Sequence, residues 1–174
     1  RTKRGISELE SLRFKVSLGK NALKVTGDTS GSAKERAKDI NNFIFDKAVR
    51  AIFSMIGGNH SIQIVDRLDY DAIRKNPKII MGFSDTTILL WAIYSQANMI
   101  VFYGPSVLNQ FAENPHILPY TLKYFKKATM SDGPVGKILS SEQWTDEVLE
   151  WFEKEDDKRP RKLRRNSGWV WLKE

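Results

Sequence analysis

The chain lacks cysteine, and it contains only two histidines, His60 and His116. Without cysteine there can be no disulfide scaffold, thiolate nucleophile or Cys-ligated zinc site. Two histidines are too few for a site that needs several histidine ligands, so we expect no bound metal and no other cofactor. No stretch approaches the roughly 20 apolar residues of a membrane helix, and no signal peptide is visible. The composition therefore favours a reducing, cytoplasmic setting.

The basic charge of the sequence is concentrated in one short segment. The 174 residues carry 28 Lys+Arg and 21 Asp+Glu, which gives a formal net charge of +7. Six of the cations lie in the octet 158–165, so the rest of the chain is nearly neutral. The acidic run 153–157 directly precedes this octet, as in a solvated connector whose charges compensate each other. The high overall pI is then weak support for nucleic-acid binding, and we expect no nucleic-acid partner.

Short apolar runs alternate with amphipathic segments along the first two thirds of the chain. The predicted strands are 14–16, 49–56, 79–81, 99–103 and 168–172, and the predicted helices are 6–12, 33–45, 68–73, 86–97, 120–127 and 145–152. Ser32 and Glu35 stand at capping-box positions for the second helix. Strands that alternate with helices need crossover connections, which predicts an α/β fold with a mainly parallel sheet flanked by helices.

Ligands of open parallel sheets bind outside the carboxyl ends of the strands. Three loops are predicted there, 57–60, 82–85 and 103–105. The middle loop, Gly-Phe-Ser-Asp, has the strand–turn–helix layout of a nucleophile elbow, which projects Ser84 over the sheet edge beside a helix N-terminus. The alternative is that Ser84 or Asp85 only caps the following helix. Thr86 also stands where the α/β-hydrolase motif has glycine.

A double glycine, Gly57-Gly58, follows the first buried strand of this region. Such a turn exposes backbone amides where a carbonyl oxygen could bind. If its strand neighbours the strand before Ser84, the amides of Gly58 and Asp85 can face one oxyanion beside the serine hydroxyl. The alternative is a flexible turn without a chemical role.

Five short motifs of the chain, three of them at the predicted loops, occur together in one family. They are 57–60 (Gly-Gly-Asn-His), 68–71 (Leu-Asp-Tyr-Asp), 76–78 (Asn-Pro-Lys), 82–87 (Gly-Phe-Ser-Asp-Thr-Thr) and 103–105 (Tyr-Gly-Pro). In this combination the chain resembles the LD-carboxypeptidase family of serine peptidases, and within it the microcin C immunity branch. The resemblance implies a flavodoxin-like N-terminal domain. It also implies metal-free hydrolysis of an amide in a murein tetrapeptide or a microcin C-type peptidyl-nucleotide.

The resemblance also assigns roles to residues of the loops. It makes Ser84 the nucleophile and the backbone amides of Gly58 and Asp85 the oxyanion hole. The predicted substrate-binding residues are Gly57, Asn59 and Tyr103. The general base and its orienting acid are a His and a Glu of a C-terminal domain, which this sequence does not include, so we expect the chain alone to be inactive.

The same resemblance divides the chain. Residues 1–128 form the expected nucleophile-bearing α/β domain, incomplete at its N-terminus, and 129–174 form a segment that leads to the absent C-terminal domain. Two tryptophans lie in the terminal apolar segment 168–172. An exposed tryptophan at a cut edge favours self-association, so we expect the isolated chain to form a homodimer or to aggregate.

Three other functions remain open from the residues alone. One is an α/β-hydrolase-like esterase that uses His60 or His116 as its base, although the sequence places neither beside Ser84. The second is a nucleic-acid-binding module built on the octet 158–165. The third is a non-catalytic interaction domain.

Overall fold

The computed structural model describes residues 1–168 and forms two compact units, Arg1–Ala112 and a second unit that begins at Glu113. The predicted domain boundary after residue 128 concerns the whole protein and stays a prediction. The predicted strand 168–172, apart from Gly168, lies outside the described residues. The expectation of self-association through its two tryptophans therefore also stays a prediction.

The first unit contains the alternating helices and strands that the sequence predicts. Its helices are α1 (Thr2–Ser11), α2 (Ala33–Phe45), a 3-10 helix (Ser61–Arg67), α3 (Tyr70–Lys75) and α4 (Thr86–Ala97), and its strands are β1 (Ala51–Phe53), β2 (Ile79–Gly82) and β3 (Phe102–Tyr103). Ser32 and Glu35 form the predicted capping box: the Ser32 side chain accepts from the Glu35 amide, and the Glu35 carboxylate accepts from the Ser32 amide.

The three strands form one parallel sheet in the order β1-β2-β3. Ile80, in the central strand, is paired with Ile52 of β1 and is only 4% exposed. It belongs to a hydrophobic core that also contains Ile44 of α2, Ile73 of α3 and Ile93 of α4, each fully buried. The predicted α/β class, a parallel sheet flanked by helices, is therefore confirmed.

Some predicted elements of the first unit were wrong or too long. The predicted strand 14–16 has no regular structure, although the ring of Phe14 packs edge-on against that of Phe53 in β1. The strands predicted at 49–56 and 99–103 are shortened to β1 and β3. The 3-10 helix after His60 was not predicted at all.

The second unit has little regular structure among its described residues. Its elements there are α5 (Pro119–Thr129), β4 (Gln143–Trp144), α6 (Glu155–Lys158) and β5 (Arg164–Arg165), with β4 and β5 antiparallel. The predicted helix 120–127 is confirmed by α5. The predicted helix 145–152 is wrong, because Glu147 accepts hydrogen bonds from the Arg159 guanidinium and the Lys162 amide, which tie this segment to a later one. Over residues 1–168, no helix has the length and apolarity needed to cross a membrane.

Candidate active site

The parallel sheet brings the three predicted loops to one edge, because all three strands point their carboxyl ends the same way. Gly82 at the end of β2 is paired with Tyr103 at the end of β3, and the Gly104 amide donates to the Gly82 carbonyl at 2.9 Å. The loop after β1 adjoins the loop after β2 through Gly57 and Ser84. The condition for a shared oxyanion site, that β1 and β2 be neighbours, is therefore met.

Ser84 lies in the turn between β2 and α4 and is exposed. Its φ is +58°, in the left-handed region that non-glycine residues rarely adopt. The Ser84 carbonyl accepts two hydrogen bonds from Thr87, one from its amide at 2.9 Å and one from its side-chain hydroxyl at 2.5 Å. These bonds fix the turn to the first residues of α4. Unusual backbone conformations of this kind cluster at functional sites, where surrounding structure must stabilise them.

Two glycines make the tight approach around this turn possible. A Cβ on Gly82 would lie 2.6 Å from the Oγ of Ser54 and 2.6 Å from the Cγ2 of Thr86, so no side chain fits there. A Cβ on Gly57 would lie 2.8 Å from the Cβ of Ser84 and 3.0 Å from its Oγ. Gly57 therefore leaves no room for a side chain beside Ser84, the predicted nucleophile.

Gly58 and Asp85 also lie together. Gly58 has a φ of +132°, which favours glycine, and a Cβ placed on it would lie 3.8 Å from the Oδ2 of Asp85. Asp85 occupies the N-cap position of α4, but its side chain makes no cap hydrogen bond to that helix. Its Oδ2 instead accepts hydrogen bonds from the amides of His60 and Ser61, both at 2.9 Å. Asp85 is therefore the N-cap residue by position, as the alternative expected, but its carboxylate bonds the neighbouring loop and not its own helix.

The structure also places the remaining candidates. Asn59 is exposed in the loop after β1, and Tyr103 is 68% exposed at the end of β3. Their role in binding substrate stays a prediction, as do the roles of Ser84, Gly57, Gly58 and Asp85.

The two histidines have different surroundings. The Nε2 of His60 lies 3.3 Å from the Oδ2 of Asp28, whose side chain is 78% exposed. The His60 carbonyl accepts from the guanidinium of Arg36 at 3.2 Å. His116 belongs to the second unit. Within residues 1–168, no cluster of three or more His, Cys, Asp or Glu side chains could hold a metal ion.

Three of the six cations of the basic octet, Arg159, Arg161 and Arg164, lie within 4 Å of an acidic side chain of the second unit. Arg161 donates from Nε and Nη2 to the two carboxylate oxygens of Glu113, at 3.0 and 2.6 Å, and the Glu113 side chain is only 9% exposed. Arg159 donates to Glu147 at 2.8 Å, and this guanidinium, with the Lys162 amide, lowers the pKa of Glu147 to about 2. Glu113 and Glu147 lie outside the run 153–157 that precedes the octet, so acids beyond the adjacent run also compensate its charge.

The sequence patterns predicted a candidate nucleophile, but they did not predict the side chain that connects the two loops. An acidic residue directly before a helix is typical of a cap, and nothing in the local sequence links Asp85 to amides 24 and 25 residues earlier. The pairing of His60 with Asp28 also joins residues far apart in sequence, without a recognisable motif.

The sequence and the fold both match known proteins. The LD-carboxypeptidase N-terminal domain of the peptidase S66 family matches residues 1–104. The chain belongs to this family of peptidases, as the five sequence motifs predicted.

Several named proteins are similar in sequence to this chain. The microcin C7 self-immunity protein MccF of Escherichia coli is 39% identical over 165 residues, which is 94% of this chain and 48% of that protein. A putative carboxypeptidase of Vibrio cholerae is 40% identical over 122 residues, 70% of this chain and 36% of that protein. The chain thus spans about half or less of the length of these relatives.

Solved structures give the same fold. MccF without ligand superposes with a TM-score of 0.87 at 38% identity, covering 95% of this chain and 50% of that one. A MccF-like protein of Bacillus anthracis gives a TM-score of 0.79 at 29% identity, covering 96% of this chain and 48% of that one. Other MccF structures contain adenosine monophosphate or aspartyl sulfamoyl adenosine.

Proposed function

We propose that this chain carries the nucleophile of an LD-carboxypeptidase-type serine peptidase, with Ser84 as that nucleophile. The observation that carries the proposal is the conformation of Ser84, an exposed residue with a φ of +58° at a strand-to-helix turn in contact with Gly57. Membership of the peptidase S66 family supports the reaction class. The second half of such a protein, a C-terminal domain, supplies the base and its orienting acid in this proposal.

The proposed reaction begins when the Ser84 Oγ attacks the carbonyl carbon of the substrate amide. The base of the C-terminal domain takes the hydroxyl proton, and the carbonyl oxygen becomes an oxyanion that accepts hydrogen bonds from the amides of Gly58 and Asp85. The same base then returns the proton to the amide nitrogen, which leaves as an amine. Water hydrolyses the acyl-serine, releases the new carboxylate and restores Ser84.

The proposed substrates are a murein tetrapeptide or a microcin C-type peptidyl-nucleotide. Relatives support both: a probable murein peptide carboxypeptidase of Bacillus subtilis is 36% identical over 97 residues, and MccF structures contain nucleotide compounds. In either case the scissile amide lies over the Ser84 turn, and Gly57, Asn59 and Tyr103 contact the substrate around it. The proposal also includes a cytoplasmic location, which fits both substrates.

Two rival functions receive less support. For an esterase that uses His60, the other ring nitrogen, Nδ1, would have to face Ser84, since Nε2 lies 3.3 Å from the Oδ2 of Asp28. For a nucleic-acid-binding module, phosphates would have to compete with Glu113, Glu147 and Asp146, which hold or adjoin arginines of the octet. Steeply salt-dependent binding to nucleic acid would favour that second rival.

The test is amide hydrolysis by the full-length protein on both substrate types. Ser84→Ala should lower kcat/KM by at least about 10³-fold, as loss of a covalent nucleophile usually does. The matched control is Ser95→Ala, which removes an exposed hydroxyl that bonds only the Ala92 carbonyl of α4. Near-wild-type turnover by Ser84→Ala would contradict the proposal. Robust turnover by residues 1–174 alone would show that the base lies inside this chain.

A further inference from the structure

The carboxylate of Asp85 connects two loops of the site that are far apart in sequence. Its Oδ2 accepts hydrogen bonds from the amides of His60 and Ser61, both at 2.9 Å. Ser61 begins the 3-10 helix, so these amides are among the donors that a helix N-terminus leaves without a partner inside the helix.

These bonds act on the segment that carries Gly57 and Gly58. The segment includes two consecutive glycines, and glycine has more backbone freedom than any other residue. His60 lies two residues beyond Gly58, so fixing its amide also fixes the end of the glycine turn. Asp85 is also the residue after Ser84, and its own amide nitrogen would lie 3.5 Å from a Cβ placed on Gly57. One residue therefore adjoins the nucleophile through its backbone and holds the opposite loop through its side chain.

We infer that Asp85 is a positioning residue: its side chain holds the 57–60 loop against the Ser84 turn, so that the Gly58 and Asp85 amides keep the spacing needed to bind one oxyanion. This inference rests on the proposed function of Ser84. The carboxylate takes no proton in the reaction and does not touch the substrate. A shift of about 1 Å between catalytic groups costs up to roughly 100-fold in rate, so the spacing of the two loops matters for kcat.

The variants Asp85→Ala and Asp85→Asn separate this role from others. Asparagine keeps a carbonyl oxygen that can accept both amide hydrogen bonds, whereas alanine keeps neither. Asp69→Ala is the matched control, since Asp69 also accepts a backbone amide, that of Ala72 at 2.8 Å, at the start of α3. All variants are made in the full-length protein, and both amide hydrogen exchange and steady-state kinetics are measured.

Asp85→Ala should speed exchange at the His60 and Ser61 amides by about tenfold or more. It should lower kcat by about 10- to 100-fold with a smaller change in KM. Asp85→Asn should restore both values to within about threefold of wild type. Asp69→Ala should speed exchange at Ala72 and leave kcat unchanged.

Several results would overturn the inference. Unchanged exchange at His60 and Ser61 in Asp85→Ala would show that the carboxylate does not hold the loop. Faster exchange with an unchanged kcat would show that the hydrogen bonds from these amides to Asp85 have no role in the reaction. An equal loss of kcat in Asp69→Ala would attribute the effect to general destabilisation.

The inference remains testable if Asp85→Ala does not fold. Asp85→Glu then takes its place, because it keeps the charge but is one methylene too long, and it should lower kcat where Asp85→Asn does not. Equal turnover by wild type and Ser84→Ala would refute the proposed function separately. The exchange measurement would still decide whether Asp85 holds the loop.

Discussion

Gly57 and Ser84 are packed so closely that a Cβ on Gly57 would lie 2.8 Å from the Cβ of Ser84 and 3.0 Å from its Oγ. The atom in the way belongs to the proposed nucleophile and not to a flexible side-chain end. A larger residue at position 57 must therefore displace either the glycine loop or the serine turn. Glycine is therefore required at position 57 for a steric reason, because only glycine leaves room for Ser84.

Gly57→Ala should lower kcat/KM by at least about tenfold, because a displaced serine or oxyanion loop loses its alignment with the substrate carbonyl. The control is Gly133→Ala, since a Cβ on Gly133 would have no neighbour within 4 Å. Steady-state kinetics and thermal unfolding of both variants make the comparison. Full activity in Gly57→Ala would mean that the contact is not needed for turnover.

Ser84→Gly should stabilise the fold by about 1 kcal/mol while it abolishes hydrolysis, because the left-handed φ of +58° costs glycine little. Arg13→Gly is the matched control: Arg13 has a φ of +70° and lies outside the candidate site. It should give a similar gain in stability with unchanged activity. Urea unfolding measures both gains, and a destabilised Ser84→Gly would argue against strain at this turn.

The local sequence was sufficient to predict the part of the site that depends on short-range signals. The apolar run before Gly82 and the strong helix after Asp85 predicted the turn of Ser84, and α4 has the predicted bounds 86–97. The paired strands β4 and β5 are two residues each, too short to show a period. The bonds from Asp85 to the 57–60 loop depend on tertiary structure, which overrides the local preference of an aspartate for capping its own helix.

The capping box of α2 predicts an acid-sensitive contribution to stability. The side-chain hydrogen bond from Lys24, with the bonds to Ser32, lowers the pKa of Glu35 from 4.5 to about 2. Because the folded-state pKa is the lower one, the contribution is present above pH 4.5 and is lost as the pH falls towards 2.

Glu35→Ala should therefore lose less stability than wild type between pH 4.5 and 2. Lys24→Ala should remove part of this pH dependence, because the hydrogen bond from Lys24 is the largest cause of the lowered pKa of Glu35. Urea unfolding at several pH values provides the measurement. An identical pH profile for Glu35→Ala and wild type would contradict this prediction.

Because Arg161 pairs with Glu113, we predict that this cation of the basic octet stabilises the folded second unit. Its two hydrogen bonds and the 9% exposure of Glu113 mean that Arg161→Ala leaves a buried carboxylate without this partner. The expected cost in unfolding free energy is about 2–4 kcal/mol. Arg164→Ala, whose side chain is 65% exposed, lies 3.6 Å from Asp146 and lies 5.9 Å from the centre of the Trp144 ring, should cost no more than about 1 kcal/mol. Equal losses of unfolding free energy in the two variants would show that the Arg161–Glu113 pair stabilises the fold no more than an exposed pair does.

The central claim, that Ser84 is the nucleophile, is tested most directly by trapping the acyl-enzyme. The full-length protein is mixed with a slowly hydrolysed amide or ester substrate and quenched in acid. It is then digested and mapped by mass spectrometry, with Ser84→Ala treated in the same way. We predict an acyl group on the peptide that contains Ser84 and no such adduct in Ser84→Ala. An acyl group on another residue, or the same adduct in Ser84→Ala, would contradict the account.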